Sequence, residues 1–239
     1  MHFDHFIEGS FGAAANMARD LLLLEAYPDA EALRLRHYGW TKDCFTFGYS
    51  QKYEWIKGQA IRGADLARRP TGGGLVDHRA DWTFALVIPA SHSLHHAPAL
   101  EVYRLVHDAL ARALASVGRP ATLQPEKDAS PLFPGSPSRV RGLCFAGAEV
   151  GDVIDPESRI KIAGAAMKRN THGLLMQGSI DRMTAGELDW ERFGLCFIAN
   201  LAASLGSNAP HAVTPPQYPA DTLAAAVEKL SADAWNKRR

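Results

Sequence analysis

Gly72, Gly73 and Gly74 stand in a row and run straight into an alternating apolar strand. That junction limits what the chain can fold into, because consecutive glycines weaken the interior of a helix or strand. They belong in a turn or in a loop at the end of a sheet. The full stretch, "RRPTGGGLVDHRADWTFALVIP" over residues 68–89, sets Arg68 and Arg69 before the glycines and His78 after them. Bare glycine N–H groups can wrap an anion or the polar head of a ligand. An arginine fork suits a carboxylate or phosphate. No Gly-Lys-Ser/Thr follows, so this is not a P-loop, and a strand follows rather than a helix, which excludes the dinucleotide fingerprint. Taken alone, the stretch reads equally well as a Gly-rich hairpin turn with solvated arginines, and His78 as a structural hydrogen-bonding residue.

Strands and helices alternate around this junction without a regular βαβ rhythm. The spacing predicts a helix over 13–27, with Met17, Leu21 and Leu24 on one face. "ALRLRHYGW" reads as a strand from Ala32, "CFTFGYSQ" as a second ending at Gly48, and 82–88 as a third. A helix follows over 99–117, with Tyr103, Val106, Leu110 and Leu114 in line, stopped by Gly118 and Pro120. Residues 119–142 are rich in Pro, Ser and Gly and predict a long loop. Two strands flank the turn "DPES" at 155–158, and "GLLMQGSID" is another. Helices at 185–205 and 220–236, joined by a Pro-rich link at 214–219, complete the chain. The fold class is α+β, a central mixed and mostly antiparallel sheet flanked by helices.

Composition narrows the function. The formal net charge is zero, with 26 basic and 26 acidic residues, so nothing draws the whole chain to nucleic acid or an anionic membrane. Any anion site must be local. No apolar run approaches the length of a membrane span, and the opening "MHFDHFIEGSFG" lacks the features of a secretory signal, so a soluble, cytoplasmic protein is expected. Cys44, Cys144 and Cys196 are odd in number and widely spaced, which fits neither a disulfide framework nor a zinc site. The "HSLHH" cluster at 92–96 lacks carboxylate or cysteine support and reads as a solvated loop, so no metal site is expected.

A second stretch, "RIKIAGAAMKRNTHGLLMQGSI" over 159–180, places Lys161 between Ile160 and Ile162. Strand alternation sets Lys161 opposite those two and beside Arg159 and Ala163. Such a lysine lies either on a solvated face or in a pocket. Held in a pocket, its cation would stabilise negative charge developing on an acyl carbonyl or a phosphate oxygen. Pairing around 155–158 puts Lys161 opposite Asp152 or Val153.

Together, "RRPTGGGLVDH", "KIAGAA" and "GLLMQGSI" resemble the biotin/lipoate protein ligase superfamily, in its lipoate-protein ligase and octanoyltransferase branch. "NMARD" at 16–20 and "LRHYGWTKDCFTFGYSQ" at 35–51 look like that branch's N-terminal helix and first strands, and the resemblance covers residues 10–200. It implies the biotin/lipoate ligase catalytic-domain fold as one domain over 1–239, without a separate C-terminal accessory domain. It further implies attachment of an octanoyl or lipoyl group to a lysine of a lipoyl carrier domain or a glycine-cleavage carrier protein. On this resemblance Arg69, Thr71, Gly72, Gly73 and Gly74 line the acyl and nucleotide site and His78 lies next to it. Gly164, Gly178 and Ser179 bind substrate, and Lys161 contacts the reacting carbonyl. The acyl tail would lie in a slot walled by Phe47, Tyr49 and Leu75.

The superfamily runs two chemistries. A ligase takes free lipoate with ATP and magnesium and forms an acyl-adenylate. A transferase takes octanoyl from an acyl carrier protein thioester, needs no cofactor, and in its cysteine type uses an enzyme thiol as relay. Cys144, Phe145 and Asp152 match the spacing of the cysteine type, and "RADWTFAL" after His78 resembles the transferase pattern. Gly74 is the ligase-like feature. Cys144 reaches Lys161 only if residues 142–151 fold back, which Gly142, Gly147 and Gly151 make feasible. Catalysis through Lys161 and Cys144 is therefore the expectation, beside an ATP-dependent ligase and a non-catalytic acyl-binding relative. Cys44 and Cys196 are expected in the core.

Overall fold

The computed structural model describes residues 1–126, 147–207 and 209–238. In chain order they form β1 (Phe3–Phe11), α1 (Ala13–Glu25), β2 (Leu33–Trp40), β3 (Cys44–Phe47), α2 (Tyr53–Gln59), β4 (Asp65–Arg68), β5 (Val76–Asp77) and β6 (Asp81–Pro89). A 3-10 turn over Ser93–His95 leads to α3 (Ala99–Ser116), β7 (Thr122–Leu123), β8 (Val153–Ile154), β9 (Lys161–Asn170) and β10 (Gly173–Asp181). The last elements are α4 (Arg182–Ala185), α5 (Trp190–Ser204), β11 (Pro210–Ala212), α6 (Ala220–Ser231) and α7 (Asp233–Asn236).

Eight strands make the main sheet in the order β11-β1-β2-β6-β10-β9-β8-β7. Its pairs are parallel where β1 meets β2 and β11, and antiparallel from β2 through to β7. A three-stranded sheet, β4-β3-β5, stands apart from it. The expected mixed, mostly antiparallel α+β architecture is the one observed.

The period of two along each strand sorts side chains between two cores. On β6, Trp82, Phe84, Leu86 and Ile88 face α3 and α5, in a cluster that also takes Leu174, Met176 and Ile180 of β10. Ala85 and Val87 face the other way, with Leu23 and Leu24 of α1. Both faces of β6 and β10 are therefore dry, which is why these strands read as nearly continuous apolar runs. The second face carries the small sheet, α1, α6 and the side chains of Arg69, His78 and Ser179, whereas Lys161 lies beside Tyr103 of α3. Asp65 of β4 accepts the Ala13 N–H at 2.7 Å and so caps α1, whose N-cap Gly12 has no side chain to do it.

Several boundaries differ from the sequence reading. The helix expected over 185–205 begins only at Trp190, because Gly186 takes φ +87° after the short α4 and Asp189 caps the new start. Lys161 pairs with Ile154 rather than with Asp152 or Val153. Asp155 folds an Asx turn onto Glu157 and Ser158, Arg159 takes the left-handed region at φ 62°, and a bulge shifts the register. Ile160 falls outside β9 and is exposed, so it does not flank Lys161 within a strand. In the "HSLHH" loop, His92 Nε2 meets the Leu205 carbonyl at 3.1 Å and His95 Nε2 the Asn170 carbonyl at 3.0 Å. No helix of the described residues is long and apolar enough to cross a membrane.

Candidate active site

Between the two sheets lies an apolar slot. Met17 of α1, Trp40 of β2, Val76 of β5 and Ala166 of β9 form its walls, with Arg69, Gly73, His78 and Ser179 along its polar side. A wider cleft, lined by Tyr103 of α3, Glu149, Asp152, Lys161 and Met167, opens beside it. Gly73 and Ala165 line both, so slot and cleft meet at the tip of the glycine loop. The expected wall of Phe47, Tyr49 and Leu75 is elsewhere. Phe47 and Leu75 are buried with Phe45 and Ile56 under the small sheet, and Tyr49 stacks edge-on against Trp235. The alternation of β3 explains this, since Thr46 faces the slot and Phe45 and Phe47 face away.

The two arginines of the opening motif are buried and braced on backbone carbonyls. Arg69 gives Nη1 to the Thr46 carbonyl at 2.9 Å and to Thr46 Oγ1 at 2.8 Å. Its Nη2 holds the carbonyls of Gly72 and Gly74 at 2.9 and 2.8 Å, so one guanidinium shapes the whole loop. Arg68, fully buried, reaches the carbonyls of Tyr49, Gln51, Trp235 and Asn236. Neither the solvated-turn reading nor charge supplied by Arg68 to a ligand matches this arrangement.

Gly73 is exposed at the tip and takes φ +87°, a conformation open mainly to glycine. Behind it stands Gly48, whose missing side chain lets the loop pass: a Cβ there would overlap the Gly73 carbonyl oxygen and lie 2.7 Å from the Gly72 carbonyl carbon. Thr71 closes the loop's other flank. Its hydroxyl donates to Gln177 Oε1 at 2.7 Å, and Gln177 Nε2 donates to Asp20 Oδ2 at 2.7 Å. Asp20 also receives Arg36 Nη1 at 2.5 Å and the Tyr38 hydroxyl at 2.8 Å. Burial raises the Asp20 carboxyl above its usual range, with Arg36 pulling it back, and burial lifts the Tyr38 phenol well above its usual range, keeping it a donor.

His78 sits on a buried hub. Its Nδ1 lies 2.6 Å from Asp81 Oδ2 and its Nε2 2.7 Å from Thr46 Oγ1, while its ring stacks on Trp40 at 3.8 Å. The same Asp81 oxygen accepts from Thr83 Oγ1 at 2.8 Å and from Ser179 Oγ at 2.7 Å. Gly178 contributes only backbone to the slot. A Cβ there would strike the Phe84 ring, so this glycine serves the core face.

Lys161 lies in the cleft with its Nζ 2.8 Å from Asp152 Oδ2. Asp152 is held in turn by the Tyr103 hydroxyl and by the Glu149 N–H at 2.7 Å. The Tyr103 oxygen also takes the Ala165 N–H at 3.0 Å, tying the pair to β9. Gly164 makes room for it: a Cβ there would lie 2.6 Å from Lys161 Nζ and 3.0 Å from Asp152 Oδ1. The cation therefore stands beside the slot wall, at the junction that Gly73 and Ala165 share. Of the residues expected from the sequence, Arg69, Gly73, Gly74, His78, Lys161, Gly164, Gly178 and Ser179 line this slot and cleft, and Thr71 and Gly72 stand behind them in the glycine loop. Cys144 lies outside the described residues. Cys44 is buried and donates to the Thr41 carbonyl at 2.9 Å; burial, with Asp65 adding to it, pushes its thiol up to about 12. Cys196 is only half-buried, at the edge of the main core.

Several participants went unforeseen. Asp81 and Thr46 lay within stretches already singled out, but their role depends on contacts across both sheets. Asp152 stands out in the sequence for its spacing from Cys144 and as a cross-turn neighbour of Lys161, not as the ion-pair partner it is. Gly48 carried a signal, a glycine closing a strand, which marks close backbone approach.

The model of the lipoyl protein ligase A/B catalytic domain matches residues 12–214. Octanoyltransferase LipM of Kyrpidia tusciae is 30% identical over 177 residues, covering 72% of this chain and 63% of that protein. LipM of Bacillus subtilis is 28% identical over 179 residues, covering 72% and 62%. The chain thus spans less than two thirds of the length of these relatives. Among solved structures, a bi-partite lipoate protein ligase of Thermoplasma acidophilum superposes with a TM-score of 0.67 at 18% identity, over 99% of this chain and 96% of that one. A lipoate-bound LipL1 of P. falciparum gives 0.64 at 13% identity, over 99% and 74%. These likenesses fix the fold, and with two sheets, a glycine loop and a buried lysine in the matched region, the chain belongs to the lipoyl protein ligase A/B catalytic-domain family.

Proposed function

We propose that this protein is an acyltransferase of protein lipoylation, moving an octanoyl group onto a lysine of a lipoyl carrier domain. The observation that carries the reading is the meeting of an apolar slot and the Lys161 cleft at Gly73 and Ala165. A medium-length acyl tail suits the slot, and its carbonyl would then emerge beside a buried cation and a bare backbone tip. The curated relatives named octanoyltransferase support the choice of chemistry.

The thiolate of Cys144 attacks the acyl carbonyl of an octanoyl-carrier thioester, releases the carrier thiol and holds the octanoyl group as a new thioester. The amine of the acceptor lysine then attacks that carbonyl, loses a proton, forms the amide and returns the Cys144 thiol. Lys161 stabilises the oxyanion in both steps. The role of Cys144 rests on its spacing to Phe145 and Asp152 alone. Gly74 supports a second reading, in which free lipoate and ATP give an acyl-adenylate.

Mass spectrometry separates the two. The transferase yields a hydroxylamine-labile octanoyl adduct on Cys144 after incubation with octanoyl-carrier protein, and needs no nucleotide. An acyl-adenylate formed from lipoate, ATP and magnesium, with Cys144→Ser fully active, would overturn the relay in favour of the ligase. Neither product would leave an acyl-binding relative without turnover.

A further inference from the structure

Arg68 and Arg69 are neighbours on one strand end, so they point to opposite sides. Arg69 grips the glycine loop, and Arg68 grips the C-terminus. The Arg68 N–H donates to Asn236 Oδ1 at 2.7 Å, and its Nη2 donates to the Asn236 carbonyl at 2.7 Å. Trp235 Nε1 donates back to the Arg68 carbonyl at 2.9 Å. Asn236 is itself fixed, since its Nδ2 donates to the Leu230 carbonyl at 2.9 Å. These partners are 167 or 168 positions apart, and they lie beyond the residues 12–214 that match the family's catalytic domain.

The Arg68 guanidinium also holds the carbonyls of Tyr49 and Gln51, each at 2.7 Å. That loop is the back wall of the glycine loop. The Tyr49 N–H donates to the Thr71 carbonyl at 2.8 Å, Gln51 Nε2 to the Gly73 carbonyl at 3.2 Å, and Gly48 abuts Gly72 and Gly73. Continuous contact therefore runs from Asn236 through Arg68 and the 48–51 loop to Gly73, at the mouth of the slot. The hairpin of α6 and α7 is anchored independently, with Leu230 buried against Ala13, Ala18 and Leu21 of α1 and Ala67 of β4.

We infer that the C-terminal hairpin is a positioning element of the acyl site: Trp235 and Asn236, acting through Arg68, hold the 48–51 loop that sets the shape of the glycine loop. Its effect on turnover rests on the acyl-transfer reading, whereas its effect on the loop does not. The test uses the full chain. In Asn236→Ala, amide hydrogen exchange over 48–51 and 71–74 should rise at least tenfold, and KM for the octanoyl donor should rise severalfold with kcat little changed. Leu201→Ala, a core truncation in α5, serves as the control for lost stability alone. Should Asn236→Ala fail to fold, Trp235→Phe keeps an aromatic side chain against Tyr49 while removing the indole N–H that bonds the Arg68 carbonyl, and it should move the same two readouts in the same direction. If exchange at 48–51 and 71–74 rises no more than in the Leu201 variant, the hairpin is only a structural brace and the inference is overturned. Wild-type protein that transfers no acyl group would defeat the functional reading while leaving the exchange result to decide this one.

Discussion

Lys161 Nζ lies 2.8 Å from Asp152 Oδ2, with both side chains almost entirely buried. Removing one partner of such a pair leaves the other charge uncompensated, at a cost of about 3–5 kcal/mol. Lys161→Ala should therefore abolish acyl transfer and lower the melting temperature together. The double variant Lys161→Met with Asp152→Asn separates the two effects. It should recover most of the stability and none of the activity. Full transfer by the double variant would remove Lys161 from the chemistry.

Gly48→Ala would drive a methyl group into the Gly73 carbonyl, where only backbone can give way. A loss of about 1–3 kcal/mol follows from such overpacking, with weakened binding of an octanoyl analogue by calorimetry. Gly58, inside α2 with open space around its α-carbon, is the contrast. Gly58→Ala should stabilise by about 0.5–1 kcal/mol and leave binding unchanged.

Asp81→Asn should loosen the hub beneath the slot. One Asp81 oxygen accepts from His78, Thr83 and Ser179 at once, and an amide cannot match three charge-assisted bonds. Losing that charge should cost about 1.5–3 kcal/mol in stability, read by denaturant titration. Affinity for the octanoyl analogue should fall with it. Unchanged affinity would mean that His78 keeps its place without Asp81.

His107 is fully buried, and burial holds its imidazole down to about 4. Its folded pKa lies below the unfolded value of about 6.5, so the unfolded chain binds more protons between the two. The associated stability is complete above about pH 6.5 and is lost as pH falls toward 4, amounting to about 3 kcal/mol. Denaturant midpoints measured from pH 7 to pH 4 should fall steadily, and less steeply in His107→Asn. Parallel profiles for the two proteins would assign the slope to other groups.

Local physics made much of the fold readable. The apolar runs at 82–88 and 173–181, the period of 3.6 in 99–117, and the stops at Gly118 and Pro120 follow from backbone geometry alone. The glycine run is likewise visible as residues that fit no ordinary place in a strand, and the lysine before Gly164 as a cation bound for either a solvated face or a pocket. Tertiary structure alone decided what those residues touch. Arg68 and Arg69 look identical in sequence, yet strand alternation sends one to the C-terminal hairpin and the other to the glycine loop. Phe47 reads as a slot wall, and the same alternation turns it away and offers Thr46 instead. Gly178 reads as a ligand contact, and the Phe84 ring on the facing strand adds a packing reason for the same glycine. Lys161 reads as a cation between two isoleucines; a bulge and a left-handed Arg159 shift its register, and Asp152 and Tyr103 become its setting. In each case the deciding partner is distant along the chain or turns on a local irregularity of the backbone. Periodicity reports which face a residue occupies, and only the packed structure determines what that face meets.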